Sequence, residues 1–254
     1  MPLLTRKTWL LAKIESTEGT DPTPVGGSNA IQVTSVDITP IESDTIQADA
    51  MQGFLGNSTR GTVLANKRVS VSFSTELSGS GAAGTAPGYG PLLKSCGLSE
   101  TVVSGTSVTY APVSASFSSC TIYCFYDLTR HKITGARGTV TFNLVAGQIA
   151  SADFQFIGIY NAPDSTDMSG TWTLANQAAG LEVNDTNITT ATFHGVASQR
   201  IESFDLALNN EVVYKETVSS KQSLIVNRAP GGTAVIEALD TATTDYFAKA
   251  VAVS

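Results

Sequence analysis

Apolar and polar residues alternate with a period of two over much of the chain. Val69, Val71 and Phe73 interleave with Ser70, Ser72 and Ser74; Val140, Phe142 and Leu144 interleave with Thr139, Thr141 and Asn143. Phe154 and Phe156 alternate with Asp153 and Gln155. Successive side chains of a strand point to opposite faces, so each run predicts a strand with one apolar and one polar side. Ala146-Gly147-Gln148 joins the last two runs as a hairpin. Ile31, Val33, Val36 and Ile38 begin the strand series, and the nearly unbroken apolar run Cys120 to Tyr126 predicts a buried strand. Pro91 to Cys96 predicts a short helix, closed by Gly97 in the left-handed C′ conformation. Thr8 to Ile14 is a short apolar segment, and the Gly-, Pro- and Thr-rich stretch Thr17 to Ser28 that follows predicts an extended arm. Between Asp44 and Gly61, Met51, Phe54 and Leu55 stand among glycines and polar residues. That pattern predicts a long hairpin with a partner-seeking apolar tip.

A weak internal repeat overlies this pattern. Ser35-Val36-Asp37-Ile38 resembles Ser203-Phe204-Asp205-Leu206, Asn66-Lys67 resembles Asn227-Arg228, and Glu76 corresponds to Glu237. Each copy runs on toward a short helix, near Leu92 and near Tyr246. The second copy has no counterpart to the strands between Leu98 and Tyr160. The expected organisation is an N-terminal strand and arm over 1–29, a β-sandwich over 30–160, a linker over 161–187 and a β-rich region over 188–254. That last region is either a partial second copy of the fold or an outer decoration.

The 254 residues are 42% hydrophobic, enough for a substantial core, but only 15% charged. Sparse charge suits a surface that partner subunits hide. The net charge is −7, and no Lys/Arg cluster exceeds Arg60, Lys67 and Arg68. Phosphate backbones are bound by such clusters through counterion release, so nucleic-acid binding is not expected. The three cysteines give no disulfide framework. Cys120 and Cys124 fall on one face of a strand, as buried thiols do. Two histidines are too few for a metal centre. Gly79-Ser80-Gly81-Ala82-Ala83-Gly84 spells a dinucleotide fingerprint, but Pro87 and Pro91 forbid the helix that must follow it. His131 lies between Arg130 and Lys132 in an expected turn, and His194 ends a strand; neither sits in a hydrolytic motif. No catalytic, cofactor or metal site is expected, so the chain is not expected to be an enzyme. No secretory signal and no membrane span are visible.

Three segments together resemble the major tail, or tail tube, proteins of long-tailed, noncontractile bacteriophages. They are Leu11 to Asp21, the stretch Arg68 to Gly97 with Glu76-Leu77-Ser78-Gly79 and Gly88-Tyr89-Gly90-Pro91, and Gly135 to Tyr160. The resemblance implies a mainly β fold: an antiparallel sandwich or barrel with a flanking short helix. It implies rings of six fold units, either six chains or three chains of two units, with the homohexamer favoured. Inner sheets of neighbours would join around a bore, and arms and loops would lock ring to ring. Thr17 and Asp21 of the arm, and Met51, Phe54, Leu55 and Asn57 of the hairpin, are the candidate contacts. On alternation, Ser72, Ser74, Thr139, Thr141, Asn143, Asp153 and Gln155 are the candidate bore lining. Six chains at −7 each carry about −42, so a wall of that kind repels DNA phosphates. The implied role is a structural virion protein, assembled in the host cytoplasm. It would form a conduit for DNA ejection, without specific DNA binding, and meet other tail proteins at the tube ends. The alternative is a secreted or surface β-sandwich adhesin or glycan-binding module, which calls for clustered aromatics such as Trp9 and Trp172.

Overall fold

The computed structural model describes residues 7–47, 53, 55, 61–166, 171–193, 196–197, 200–241 and 244–252. In chain order the elements are β1 Thr8–Ile14, α1 Gly26–Asn29, β2 Ala30–Ile31, β3 Ser35–Gln47 and β4 Thr62–Glu76. There follow α2 Gly90–Ser95, β5 Leu98–Val103, β6 Ser107–Pro112, β7 Cys120–Tyr126, β8 Thr129–Val145 and β9 Ser151–Tyr160. The C-terminal part holds β10 Thr192–Phe193, β11 Val196–Ala197, β12 Ile201–Ala207, β13 Asn210–Glu216, β14 Lys221–Arg228, β15 Gly231–Ile236 and α3 Tyr246–Val251.

One antiparallel sheet dominates, in the order β2-β1-β7-β8-β9-β4-β3, with β12 on β8 and β15 on β12. Its two ends, β2 and β3, are joined by residues 32–34 alone. The steps from Ile31 to Ser35 reach at most about 14 Å. A flat sheet of seven strands would hold its ends about 29 Å apart. The sheet must therefore curl, and Gln32 and Thr34 at the crossing bond to β4: Thr75 Oγ1 donates to Gln32 O (2.7 Å) and Thr34 N donates to Ser74 O (2.8 Å). No closed barrel forms among the described residues.

The curl sorts the alternating residues. Its concave side gathers Leu10, Ile31, Val69, Val71, Phe73, Ile122, Ile133, Val140, Phe154 and Phe156, all buried. Phe73, Phe154 and Phe156 stack with ring centroids 5.5–6.0 Å apart. Each such side chain contributes about 1.5–3 kcal/mol on burial. Helix α2 plugs this side with Leu92, Leu93 and Cys96, and Gly97 ends it at φ +77°, as the sequence led us to expect. Cys96, Cys120 and Cys124 are all buried free thiols, and burial pushes Cys120 and Cys124 up to about 12.

The other face over β1 and β7 is covered by the arm and by residues 171–175. Trp172 lies 5.2 Å from both Trp9 and Phe125, over Leu11 and Tyr123. The two tryptophans therefore meet, half-buried, as the lid of a second small core. His131 departs from its expected turn. It lies within β8, half-buried against Tyr126 (5.9 Å), and burial lowers its pKa.

Glu15 fixes the arm. It is 7% exposed, and each carboxylate oxygen accepts two hydrogen bonds. Ser119 Oγ (2.7 Å) and Gly19 N (2.8 Å) donate to one oxygen; Thr121 Oγ1 (2.6 Å) and Gly135 N (2.8 Å) donate to the other. This uses the full accepting capacity of a carboxylate and ties β1, β7, β8 and the arm together. Glu15→Gln turns one acceptor into a donor facing donors. It should lower unfolding free energy by about 2–4 kcal/mol in urea titration, since breaking a buried charged network leaves its partners unsatisfied.

Candidate functional site

Strand β8 is long enough, at 17 residues, to serve two neighbours on one edge. Its first half pairs with β7 as far as Ala136, and its second half pairs with β12 from Thr141. Gly138 lies in the fork between them, and a Cβ there would meet the Gln155 carbonyl at 2.2 Å, so only glycine fits. Asn210 fills the fork. Its Nδ2 donates to Cys96 O (2.7 Å) and Gly138 O (2.9 Å), and its backbone N donates to Thr139 Oγ1 (3.1 Å).

Two arginines complete this polar joint. Arg228 donates to Asn210 Oδ1 (2.8 Å), Gly97 O (2.9 Å) and Val113 O (3.3 Å), so it caps carbonyls that follow α2. Arg137, 7% exposed, binds Glu18 through two 2.9 Å bonds. It also donates to Phe117 O, Ser118 O and Ser223 O. The β13–β14 hairpin thus leaves the fork and crosses the outer face of β8, β9 and β4.

Below that hairpin the convex face is polar in three rows. They are Asp37-Ser72-Gln155-Thr139, then Ser35-Ser74-Asp153-Thr141-Ala207-Gly231, then Glu76-Ser151-Asn143-Asp205-Thr233. All seven residues named from alternation fall in these rows, on one face. Asp37, Glu76, Asp153 and Asp205 supply four carboxylates, and no Lys or Arg stands in any row. Asp153 accepts from Ser74 Oγ and from Asn143 Nδ2 (2.6 Å), which locks it between β4 and β8. Ser72, Thr139 and Gln155 border a cavity of about 420 Å³ against Asn210 and Val212. A second, of about 320 Å³, opens over Ser35, Asp37, Ser74 and Asp153 with no hairpin residue in its lining.

The arm residues are engaged within the chain. Asp21 accepts from Tyr123 Oη (2.5 Å) and pairs with Lys132 (3.3 Å); burial raises its pKa, but these bonds lower it further. Thr17 O accepts from Thr20 N (3.0 Å) in the turn of the arm. Leu55 is fully exposed, whereas Met51, Phe54, Asn57, Arg60 and His194 lie outside the described residues. The outer parts of β3 and β4 expose Ile41, Ile46, Val63 and Leu64. Alternation found the polar rows but missed Glu15, Arg137, Asn210 and Arg228; Glu15, a carboxylate directly after β1, and Arg228, matched to Lys67 in the repeat, carried a signal. Among the described residues no group of three or more His, Cys, Asp and Glu is placed to hold a metal. None of the described helices is long and apolar enough to cross a membrane.

Asn210→Ala leaves the carbonyls of Cys96 and Gly138 without this donor. It should cost about 1–3 kcal/mol by chemical denaturation, with faster amide exchange in β13 and β14 than in β7.

The family described as phage tail tube protein matches residues 5–254. No curated protein matches the chain. One similar solved structure is a cryo-EM structure of the anti-feeding prophage cap, a tube-terminating cap. It is 10% identical, with a TM-score of 0.41, over 65% of this chain and 93% of that one.

Proposed function

The chain belongs to the phage tail tube protein family, and on that premise we propose that six copies close into a ring and that rings stack into the tube of a phage tail. The polar rows line the bore, and DNA passes along them into the host. The protein is a structural component of the virion, assembled in the host cytoplasm, with other tail proteins at the tube ends.

The observation that carries this is the set of three polar rows, with four carboxylates and no Lys or Arg among them, on a sheet whose outer edges at β3 and β15 are open among the described residues. A wall of carboxylates and hydroxyls displaces no counterions from phosphates, so DNA gains nothing by adhering. Fixed negative charge around a narrow bore repels the strand from every side. Stoichiometry of six chains is supported by the core. Of the described residues in 188–254, only Leu208 is among the buried residues of an apolar cluster. The region supplies strands to one shared sheet, so one chain makes one unit. The exposed outer parts of β3 and β4 are the contact between rings, together with Met51, Phe54, Leu55 and Asn57 of the segment that joins them in sequence. A lone two-stranded ribbon is marginal in water, which favours a partner for it.

Sedimentation should give an assembly of six times the 26.5 kDa chain, and microscopy should show stacked rings of even bore. Three chains per ring would support the two-unit alternative, and a strict monomer at every concentration would overturn the proposal. Wild-type tubes should not retain labelled duplex DNA on a filter, whereas tubes of Asp153→Lys/Asp205→Lys should retain it in a salt-dependent way.

A further inference from the structure

The lower part of the sheet runs β3-β4-β9-β8-β12-β15, six strands in strict antiparallel alternation. An even number of alternating strands ends in edges that run in opposite directions. Among the described residues β3 pairs with β4 alone and β15 with β12 alone. Such open edges are templates for another chain. Copies placed side by side in the same orientation bring β15 of one against β3 of the next, antiparallel.

Three further features single out this joint. The first is length. Bulges break β3 after Thr39, leaving Ser35–Thr39 as its regular inner part. That part spans about 17 Å and the six residues of β15 about 20 Å. The second is the sequence repeat. Ser203-Phe204-Asp205-Leu206 is docked on β8, with Asp205 beside Asn143 on the polar face and Phe204 and Leu206 beside Leu144 and Phe142 on the apolar one. Ser35-Val36-Asp37-Ile38 carries the same pattern with Asp37 polar-side out, and its outer edge is undocked. The motif thus has a strand on each side at β12, and on one side only at β3. The third is the apolar flank. Leu206 is 38% exposed above a cavity of about 680 Å³, so the sheet near β15 is incompletely covered in one chain.

We propose that neighbouring copies join through β15 of one and the Ser35–Thr39 part of β3 of the next. This rests on the ring proposed above and names its joint. Face matching restricts the register. Residues 35, 37 and 39 must oppose 231, 233 and 235, because a slip of one residue would turn Val36 and Ile38 to the polar side. Asp37 opposite Thr233 satisfies this, and shifts by two residues also do. The C-terminal region is thereby part of the wall of the bore.

The test is the full-length variant Asp37→Cys/Thr233→Cys, treated with a short bismaleimide before and after assembly. The native cysteines are buried and stay unlabelled. Assembled protein should give a ladder of covalent multimers on a reducing gel, and dilute monomer should not. In parallel, amide exchange of wild-type protein should slow at least tenfold on assembly in Ser35–Thr39 and in Gly231–Ile236. Rings that form without the ladder and without protection of both strands would overturn the joint while leaving the tube intact. Failure of wild-type protein to form rings at all would overturn both. If the variant does not fold, the wild-type exchange result decides alone.

Discussion

The short link between β2 and β3 is the constraint from which the architecture follows. Three residues cannot span a flat sheet of this width, so the strands must wrap until the ends come within reach. Wrapping gives the period-two pattern its meaning. One set of alternating residues faces inward and packs around Phe73, Phe154 and Phe156. The other faces outward, where serines, threonines and carboxylates remain. Among the described residues β3 still pairs with β4 alone, so the curled sheet keeps an open edge there.

The polar groups inside the molecule hold its layers together. Glu15 fastens the arm to β7 and β8. Arg137 joins that arm to the loop before β7 and to β14. Asn210 and Arg228 seal the fork from which the β13–β14 hairpin departs. Each is buried or half-buried, and their bonds are internal. The carboxylates of the polar rows differ: they collect on one outer face, and the cation one row away, Arg137, is paired with Glu18. Like charges gathered on one face repel other anions.

Local structure was legible wherever the pattern was regular. β4, β8, β9, the β8–β9 turn, β7 and α2 all follow from spacing, and the short helix near Tyr246 follows from the repeat. His131 was misplaced because Arg130-His131-Lys132 has the polarity of a turn. The turn itself lies at Asp127-Leu128, with Asp127 at φ +53°, and Tyr126 packs against the imidazole within the strand. The bonds that Asn210 donates in the fork reach residues more than 70 positions away, such as Gly138. Nothing in local periodicity announces them. The meeting of Trp9 with Trp172 is hidden for the same reason.

The central claim is that the face bearing Asp153 and Asp205 encloses the bore. A cryo-EM reconstruction of the assembled protein measures this directly. The account predicts both carboxylates on the inner wall, with α2 and the β5–β6 hairpin outside. A map with α2 toward the axis and Asp153 on the outer surface would contradict it.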